Sequence, residues 1–164
     1  MPLFHPVFAT VPLKANRLNK PRNADLPAYD QAELLAVCRQ FELSMVVLFG
    51  SRATGSPPPT EDSDIDLAVM GCDPRQRFEC SGALSKVFAA TLVDLILLQH
   101  DADPLLRYEI MQRGILLYGD ADQFCDYRSY AYRDFVDSAD LRALEQRLFE
   151  KKLAYLRGIL DAAP

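Results

Sequence analysis

Two aspartates one residue apart stand in a run that otherwise predicts a buried strand. They are Asp64 and Asp66 in "DIDLAVM". Carboxylates are costly inside a protein unless a cation meets them. Side chains alternate between the faces of a strand, so Asp64 and Asp66 point the same way, about 6.5–7 Å apart at the backbone. Such a pair can converge on one divalent ion or bridge two ions about 3.5–4 Å apart.

Asp94 is a third acidic residue inside an apolar run, "LVDLILL". It is the sole charge of that predicted strand and therefore also requires a partner. If its strand lies beside the strand of Asp66, the three carboxylates form one cluster. In that cluster Asp94 could ligate a second metal and accept a proton from an attacking hydroxyl. Oxygen ligands with no His or Cys nearby favour Mg²⁺ or Mn²⁺ over zinc.

Gly50 and Ser51 follow an earlier apolar run, "SMVVLF" (44–49). Gly50 permits a tight turn and the close approach of a ligand. Ser51 offers a hydroxyl and a backbone N–H, and the residues after it predict a helical turn whose N-terminus favours phosphate. Arg52 is a candidate for a further phosphate contact. A phosphate cradle that faces a two-metal carboxylate site indicates phosphoryl or nucleotidyl transfer.

Each of these features alone has a simpler explanation. Acidic pairs are common on solvated strand ends, a Gly-Ser pair is weaker evidence still, and a single charge such as Asp94 can discourage edge-to-edge aggregation of a sheet. The functional interpretation depends on their combination, since each lies on or at the end of a predicted strand, in this order along the chain.

The elements that must position these residues alternate between strands and helices. Strands are predicted at 44–49, 64–70, 92–98 and 115–118. Helices are predicted to begin after Asp30, which starts a capping box, and at Asp73-Pro74 and Asp103-Pro104, where an N-cap precedes a first-turn proline. The predicted fold class is therefore α/β or α+β, with a small mixed sheet flanked by helices.

The C-terminal region, from about residue 122 to 160, reads as helical with a break near Asp137-Ser138. Its last helix carries two apolar stripes that together cover about half of the circumference, wider than the ~100° that docking on one core requires. Two explanations remain open: the helix is wedged between two elements of its own domain, or it also meets another chain. The stripes are Leu141, Leu144, Leu148, Tyr155 and Ile159, and Phe149, Leu153, Leu156 and Leu160.

We divide the chain into an extended N-terminal arm (1–28), a catalytic domain (29–120) and a C-terminal helical segment packed on that domain (121–164). The net charge of −5 argues against general nucleic-acid binding, because phosphate binding needs a basic surface. No apolar run is long enough to span a bilayer, and the N-terminus has no basic region typical of a signal peptide. Four cysteines without zinc spacing predict free thiols, and we expect a cytoplasmic protein.

The pattern of "GS" after one strand, "DID" in the next and a lone aspartate in a third resembles the DNA polymerase β-type nucleotidyltransferase superfamily. The small size is similar to that of its minimal members, the MNT-type antitoxins that accompany HEPN-type toxins. The resemblance covers roughly residues 30 to 120, with weaker agreement through the C-terminal helices. The loop from Arg52 to Ser63 is longer than in most relatives, and the arm is not part of the family pattern.

The resemblance implies a role for each matching residue. Gly50 and Ser51 would hold the triphosphate of ATP, Asp64 and Asp66 would bind two catalytic Mg²⁺ ions, and Asp94 would be the third ligand and activate the acceptor hydroxyl. The reaction would be AMP transfer to a tyrosine of a partner HEPN-type toxin, which neutralises it. Two alternatives remain open: an antitoxin that acts by binding alone, and a nucleotidyltransferase for small molecules such as aminoglycosides. For the latter, about 40 C-terminal helical residues are short for an acceptor domain.

Overall fold

The computed structural model of the chain describes residues 26–60, 63–89 and 93–161, with side chains as far as residue 159. In these ranges the elements are α1 (Gln31–Gln40), β1 (Met45–Phe49), α2 (Gly50–Thr54), β2 (Ile65–Met70), α3 (Arg77–Val87), β3 (Val93–Leu97), α4 (Pro104–Arg113), β4 (Ile115–Gly119), α5 (Ala121–Asp137) and α6 (Ala139–Asp161). A single 3₁₀ turn, Pro74–Gln76, leads into α3.

The predicted helix starts at Asp30, Asp73 and Asp103 are confirmed. Each of these carboxylates accepts a hydrogen bond from a backbone N–H of the turn that it precedes. Such caps satisfy N–H groups that have no partner within the helix. The predicted break between the last two helices is also confirmed, because Ser138 separates α5 from α6.

The four strands form one mixed sheet in the order β3-β2-β1-β4. β1 is antiparallel to both of its neighbours, whereas β2 and β3 are parallel and are joined through α3. A parallel pair requires such a crossover, and an antiparallel pair needs only a loop. The predicted α+β class with a small mixed sheet is confirmed.

The sheet separates two layers of core. Ile65, Leu67 and Val69 of β2 belong to the cluster that also contains buried residues of α1 and α3. Ala68 and Met70 belong to the other cluster, together with buried residues of α4 and α5. Side chains alternate between the two faces of a strand, so Asp66 lies on the same face as Ala68 and Met70, which is the α4/α5 face. It lies near the N-terminal end of β2, whereas Ala68 and Met70 lie further along the strand.

Gly114 ends α4, and contact explains why it is glycine. A β-carbon there would lie 2.4 Å from the carbonyl oxygen of Ile110 and 2.5 Å from Val47 Cγ1. Its backbone is extended rather than left-handed. Gly114 therefore lets the chain pass close to β1 as it goes from α4 into β4.

Three features of the packing bear on the expectations from the sequence. The sequence predicts an apolar stripe of Phe78, Leu84, Val87 and Phe88 in the helix after Asp73. Phe78 is 87% exposed, because at 100° per residue it lies about 120° around α3 from the buried Leu84. Leu26 is partly buried against the α1/α3 cluster, so this end of the predicted arm is packed; residues 1–25 lie outside the described residues. In the C-terminal segment α5 buries Phe124 and Ala131, whereas the large apolar side chains of α6 are exposed within the described residues, which favours the second of the two explanations over a wedged helix.

Candidate active site

Asp66 and Asp94 lie opposite each other in the parallel pair of β2 and β3. Residues paired in this way project from the same face of a sheet. The expectation that the strand of Asp94 lies beside that of Asp66 is therefore confirmed. Their neighbours along the strands, Ile65, Leu67, Val93 and Leu95, turn to the opposite face and are buried.

Asp64 lies just before the first residue of β2 and is exposed, as is Asp94, whereas Asp66 is half-buried. Burial raises the pKa of the Asp66 carboxyl, and the charges of Asp94 and Asp64 raise it further. Removal from water and like charges both disfavour the ionised form of a carboxyl. The Asp66 carboxyl is thus close enough to both Asp94 and Asp64 for their charges to affect its ionisation.

Gly50 lies against Asp66 from the neighbouring strand end. A β-carbon on Gly50 would stand 1.9 Å from Asp66 Oδ2 and 2.8 Å from its carboxyl carbon. The φ angle of Gly50 is +69°, in the left-handed region that favours glycine. Phe49 pairs with Asp66 in the antiparallel register, so the turn that follows β1 is held at this carboxylate.

The predicted helical turn is present as α2, which begins at the Gly-Ser pair and is followed by Gly55 in the left-handed conformation as its C-cap. Ser51 is half-buried, and within the described residues its hydroxyl makes no hydrogen bond. The Thr54 hydroxyl donates to the carbonyl oxygen of Gly50 at 3.0 Å and braces the turn. The Gly-Ser backbone is thus presented next to the carboxylates.

Arg52, predicted as a further phosphate contact, bonds to the loop that follows α2. Its guanidinium donates to the carbonyl oxygens of Thr60, at 3.2 Å, and Ser63, at 2.8 and 3.1 Å. These bonds tie α2 to the far end of the loop that leads into Asp64. Within the loop the Ser63 hydroxyl accepts from the Thr60 N–H at 2.8 Å. Sequence reasoning missed Thr60 and Ser63, because contacts to backbone carbonyls leave no signal in residue type.

The site residues suit a divalent cation in their chemistry. Within the described residues, no group of three or more His, Cys, Asp or Glu side chains is arranged to hold a metal ion as it stands. The donors are nevertheless hard oxygen ligands from two adjoining strands, of the kind that Mg²⁺ prefers. Burial is the main cause of the raised pKa of Asp66, and the charges of Asp94 and Asp64 add to it, so a cation bound among these carboxylates would relieve the repulsion between them.

A cavity of about 500 Å³ lies elsewhere, between α4 and α5. Its lining consists of Gln112, Arg128, Ser129, Tyr132 and Arg133, and includes none of the predicted site residues. We place the chemistry at the carboxylates, because metal-dependent phosphate chemistry needs oxygen ligands, and the described lining of the cavity offers none with a negative charge.

The sequence matches the family described as "Polymerase beta, Nucleotidyltransferase" over residues 33–123. This segment runs from α1 into α5 and contains the Gly-Ser turn and all three carboxylates. The chain belongs to the polymerase β nucleotidyltransferase family. Comparison of the sequence with those of curated proteins finds no match.

Solved structures show that the nucleotidyltransferase has the fold of known relatives. A chain of a toxin–antitoxin crystal structure with AMP-PNP is 21% identical, with a TM-score of 0.53, and the match covers 80% of this chain and 98% of that chain. A chain from a mutant of the toxin–antitoxin MntA-HpeT is 22% identical, covering 81% and 99%, with a TM-score of 0.53. A chain from Shewanella oneidensis is 20% identical, covering 75% and 95%, with the same TM-score of 0.53.

Three further features of the nucleotidyltransferase lie outside the candidate site: its helix hydropathy, its cysteines and the aromatic residues of α5. In the described part of the chain, no helix is long and apolar enough to cross a membrane. Cys38, Cys72 and Cys80 are buried free thiols, and Cys125 is half-buried. The aromatic residues of α5 are mainly packed: Phe124 is buried, Tyr127 donates to the carbonyl oxygen of Leu98, and Phe135 stacks on Tyr108 at 4.4 Å between ring centroids.

Proposed function

We propose that this nucleotidyltransferase transfers AMP from ATP to a hydroxyl of a partner HEPN-type toxin, with tyrosine as the acceptor, and so neutralises the toxin. The observation that carries the proposal is the pairing of Asp66 with Asp94 beside Gly50. It brings acidic oxygens and a side-chain-free turn to the same place. A triphosphate needs both, since its charge must be balanced and its oxygens must approach a backbone closely.

The residues of the site divide the work. Asp64 and Asp66 would hold two Mg²⁺ ions, with Asp94 as a further ligand, and Mn²⁺ fits the same oxygens. When bound, the ions would neutralise charge on the phosphates. Gly50 and Ser51 would present their backbone and hydroxyl to the triphosphate. Arg52 would add a further phosphate contact, and its guanidinium also holds the loop that carries the chain into Asp64.

The transfer is a single displacement at phosphorus. The acceptor hydroxyl oxygen forms a bond to the α-phosphorus of ATP, and the bond from that phosphorus to the bridging oxygen of pyrophosphate breaks. Pyrophosphate leaves with the electron pair. The proton of the hydroxyl passes to a base, and Asp94 fits this role because its carboxylate is exposed and lies opposite Asp66.

The solved structures support the partner class and the nucleotide. The fold neighbours with TM-scores of 0.53 include a toxin–antitoxin with AMP-PNP and a toxin–antitoxin mutant. This chain spans almost the whole of each of those chains, 98% and 99%. From this likeness we infer a toxin as the partner and an adenine nucleotide as the donor.

The test incubates the chain with Mg²⁺, the product of the neighbouring open reading frame, and ATP labelled on either the α- or the γ-phosphate. Label from the α-phosphate alone should appear on the partner, on tyrosine. The variant Asp64→Ala/Asp66→Ala should lose at least about a hundredfold of the rate. The matched control Glu33→Ala/Glu79→Ala removes two exposed carboxylates from α1 and α3, on the other layer, and should keep the activity of the parent.

Other outcomes would identify the alternatives. If the double aspartate variant protects cells from the toxin as well as the parent does, the antitoxin acts by binding alone. If label appears on an aminoglycoside without any partner protein, the enzyme modifies small molecules. Transfer of the γ-phosphate instead would make it a kinase and would overturn the proposal.

A further inference from the structure

The helix α6 exposes an apolar face that no described part of its own chain covers. It spans Ala139–Asp161, about 35 Å at 1.5 Å per residue. Within the described residues its main packing is against α5. Its large apolar side chains are between 36% and 70% exposed: Leu141, Leu144, Leu148, Phe149, Leu153, Tyr155, Leu156 and Ile159.

The base of α6 is fixed, so the face is held in one direction. The Arg142 guanidinium stacks on the ring of Phe135, 3.9 Å from its centroid, and donates to the Phe135 carbonyl oxygen at 2.6 Å. It also donates to the hydroxyl of Ser138, which separates the two helices. Beyond this anchor the helix projects from the domain with its apolar side chains exposed.

Two charges of opposite sign lie within the apolar face. At 100° per residue, Glu145 and Lys152 fall near its middle, flanked by the leucines on both sides. They are two turns apart and equally far from the midpoint between Leu148 and Phe149. In the part of the chain that the structure describes, neither makes an ion pair or a hydrogen bond. A partner that covers this face must therefore bring a cation to Glu145 and an anion to Lys152.

We propose that α6 pairs antiparallel with α6 of a second copy of this chain. A two-fold pairing about the midpoint between Leu148 and Phe149 sets Glu145 of each copy beside Lys152 of the other. The same operation brings Leu141 level with Leu156, and Leu144 level with Leu153. Every large apolar residue from 141 to 156 except Tyr155 then has an apolar counterpart, as an isologous interface requires.

The charges also select the direction of the pairing. In a parallel pair in the same register, glutamate would face glutamate and lysine would face lysine, which is unfavourable. The antiparallel arrangement converts both contacts into ion pairs at the centre of an apolar strip. The inference concerns self-association and does not depend on the proposed transfer reaction.

The experiment measures the mass of the full chain by sedimentation equilibrium over about a hundredfold range of concentration, so that mass action is visible. The parent should form a dimer. Leu148→Glu should abolish it, and Glu145→Lys or Lys152→Glu alone should raise the dissociation constant by about tenfold or more, because each creates two like-charge contacts. The double reversal Glu145→Lys/Lys152→Glu should restore the affinity to within about threefold of the parent.

Glu150→Lys is the matched control, because Glu150 lies on the opposite side of the helix and bonds only to Gln146 in the described part of the chain. It should leave the dimer unchanged, and circular dichroism should show the same helix content in every variant. The proposal is overturned if the parent is monomeric throughout, including the case in which α6 binds only the toxin. It is equally overturned if Leu148→Glu leaves a dimer intact, or if the double reversal is as weak as the single ones.

Discussion

The backbone of Gly50 lies so close to the carboxylate of Asp66 that a β-carbon on Gly50 would stand 1.9 Å from Asp66 Oδ2. Gly50 directly follows β1, and Asp66 lies in β2, the antiparallel neighbour of β1. The contact therefore joins the two strands at the site. Only a residue without a side chain fits next to this carboxylate.

Gly50→Ala should destabilise the fold and reduce nucleotidyl transfer together. Alanine is strained at a φ of +69°, which costs about 1 kcal/mol or more, and its methyl group must displace Asp66. Urea unfolding gives the change in stability, and initial rates of label transfer give the change in activity.

The control for this change is Gly82→Ala. Gly82 lies inside α3, and a β-carbon there would meet nothing within 4 Å. Alanine is the better helix former, so the free energy of unfolding should rise by about 0.5–1 kcal/mol, with unchanged activity. A Gly50→Ala protein as stable and as active as the parent would contradict the conclusion that position 50 requires glycine.

Asp66→Asn should stabilise the protein at pH 7 in the absence of divalent cations. The pKa of Asp66 is raised by burial and then by Asp94 and Asp64, so the folded state holds the proton more tightly than the unfolded state. The contribution of this carboxyl to stability is therefore present at low pH. It is lost as the pH rises from about 3.9 through the raised pKa. The amide removes that loss.

Thermal unfolding in EDTA and in Mg²⁺ measures this effect. Mg²⁺ should raise the melting temperature of the parent more than that of Asp66→Asn, because a cation that binds only the folded state stabilises it. Glu79→Gln, an exposed change on α3, should behave like the parent under both conditions. An Asp66→Asn protein less stable than the parent in EDTA would show that the charge is already compensated.

Arg52→Lys should loosen the loop between α2 and β2 as much as Arg52→Ala does. The guanidinium reaches Thr60 and Ser63 with two different nitrogens, a fork that lysine cannot reproduce. Amide hydrogen exchange of peptides spanning residues 55–63 should be faster in both variants. Arg75→Ala, an exposed arginine in the 3₁₀ turn, serves as the control. If lysine preserved both protection and activity, a simple positive charge toward phosphate would be the better account.

Cys38 and Cys80 should resist alkylation in the folded protein at pH 8, whereas Cys125 should react. Burial raises the pKa of Cys38 and of Cys80 to about 12, so at pH 8 only about one thiol in ten thousand is a thiolate. The same shift makes the fold less stable as the pH rises from about 9 to about 12, because the unfolded chain loses these protons first. Mass spectrometry after timed iodoacetamide exposure gives the order of modification. Equal rates at Cys38, Cys80 and Cys125 would contradict the buried positions.

The sequence by itself determined what depends on neighbours along the chain. The helix starts at Asp30, Asp73 and Asp103 follow from side-chain bonds to the next few N–H groups, which residue type specifies. The common direction of Asp64 and Asp66 follows from the period of a strand. The Gly-Ser turn, the "DID" run and the isolated Asp94 predicted the superfamily, and the family match over residues 33–123 confirms it.

Only the tertiary structure decided what depends on distant pairing. The register that sets Asp94 opposite Asp66, and the turn that places Gly50 against the same carboxylate, arise from strands that meet across long connections. Arg52 turned to the loop carbonyls, which no sequence pattern encodes. The apolar stripes of α6 are equally visible in the sequence. Their exposure follows from the direction in which the helix leaves Ser138, because hydrophobic pattern specifies that a face must be covered but not by what.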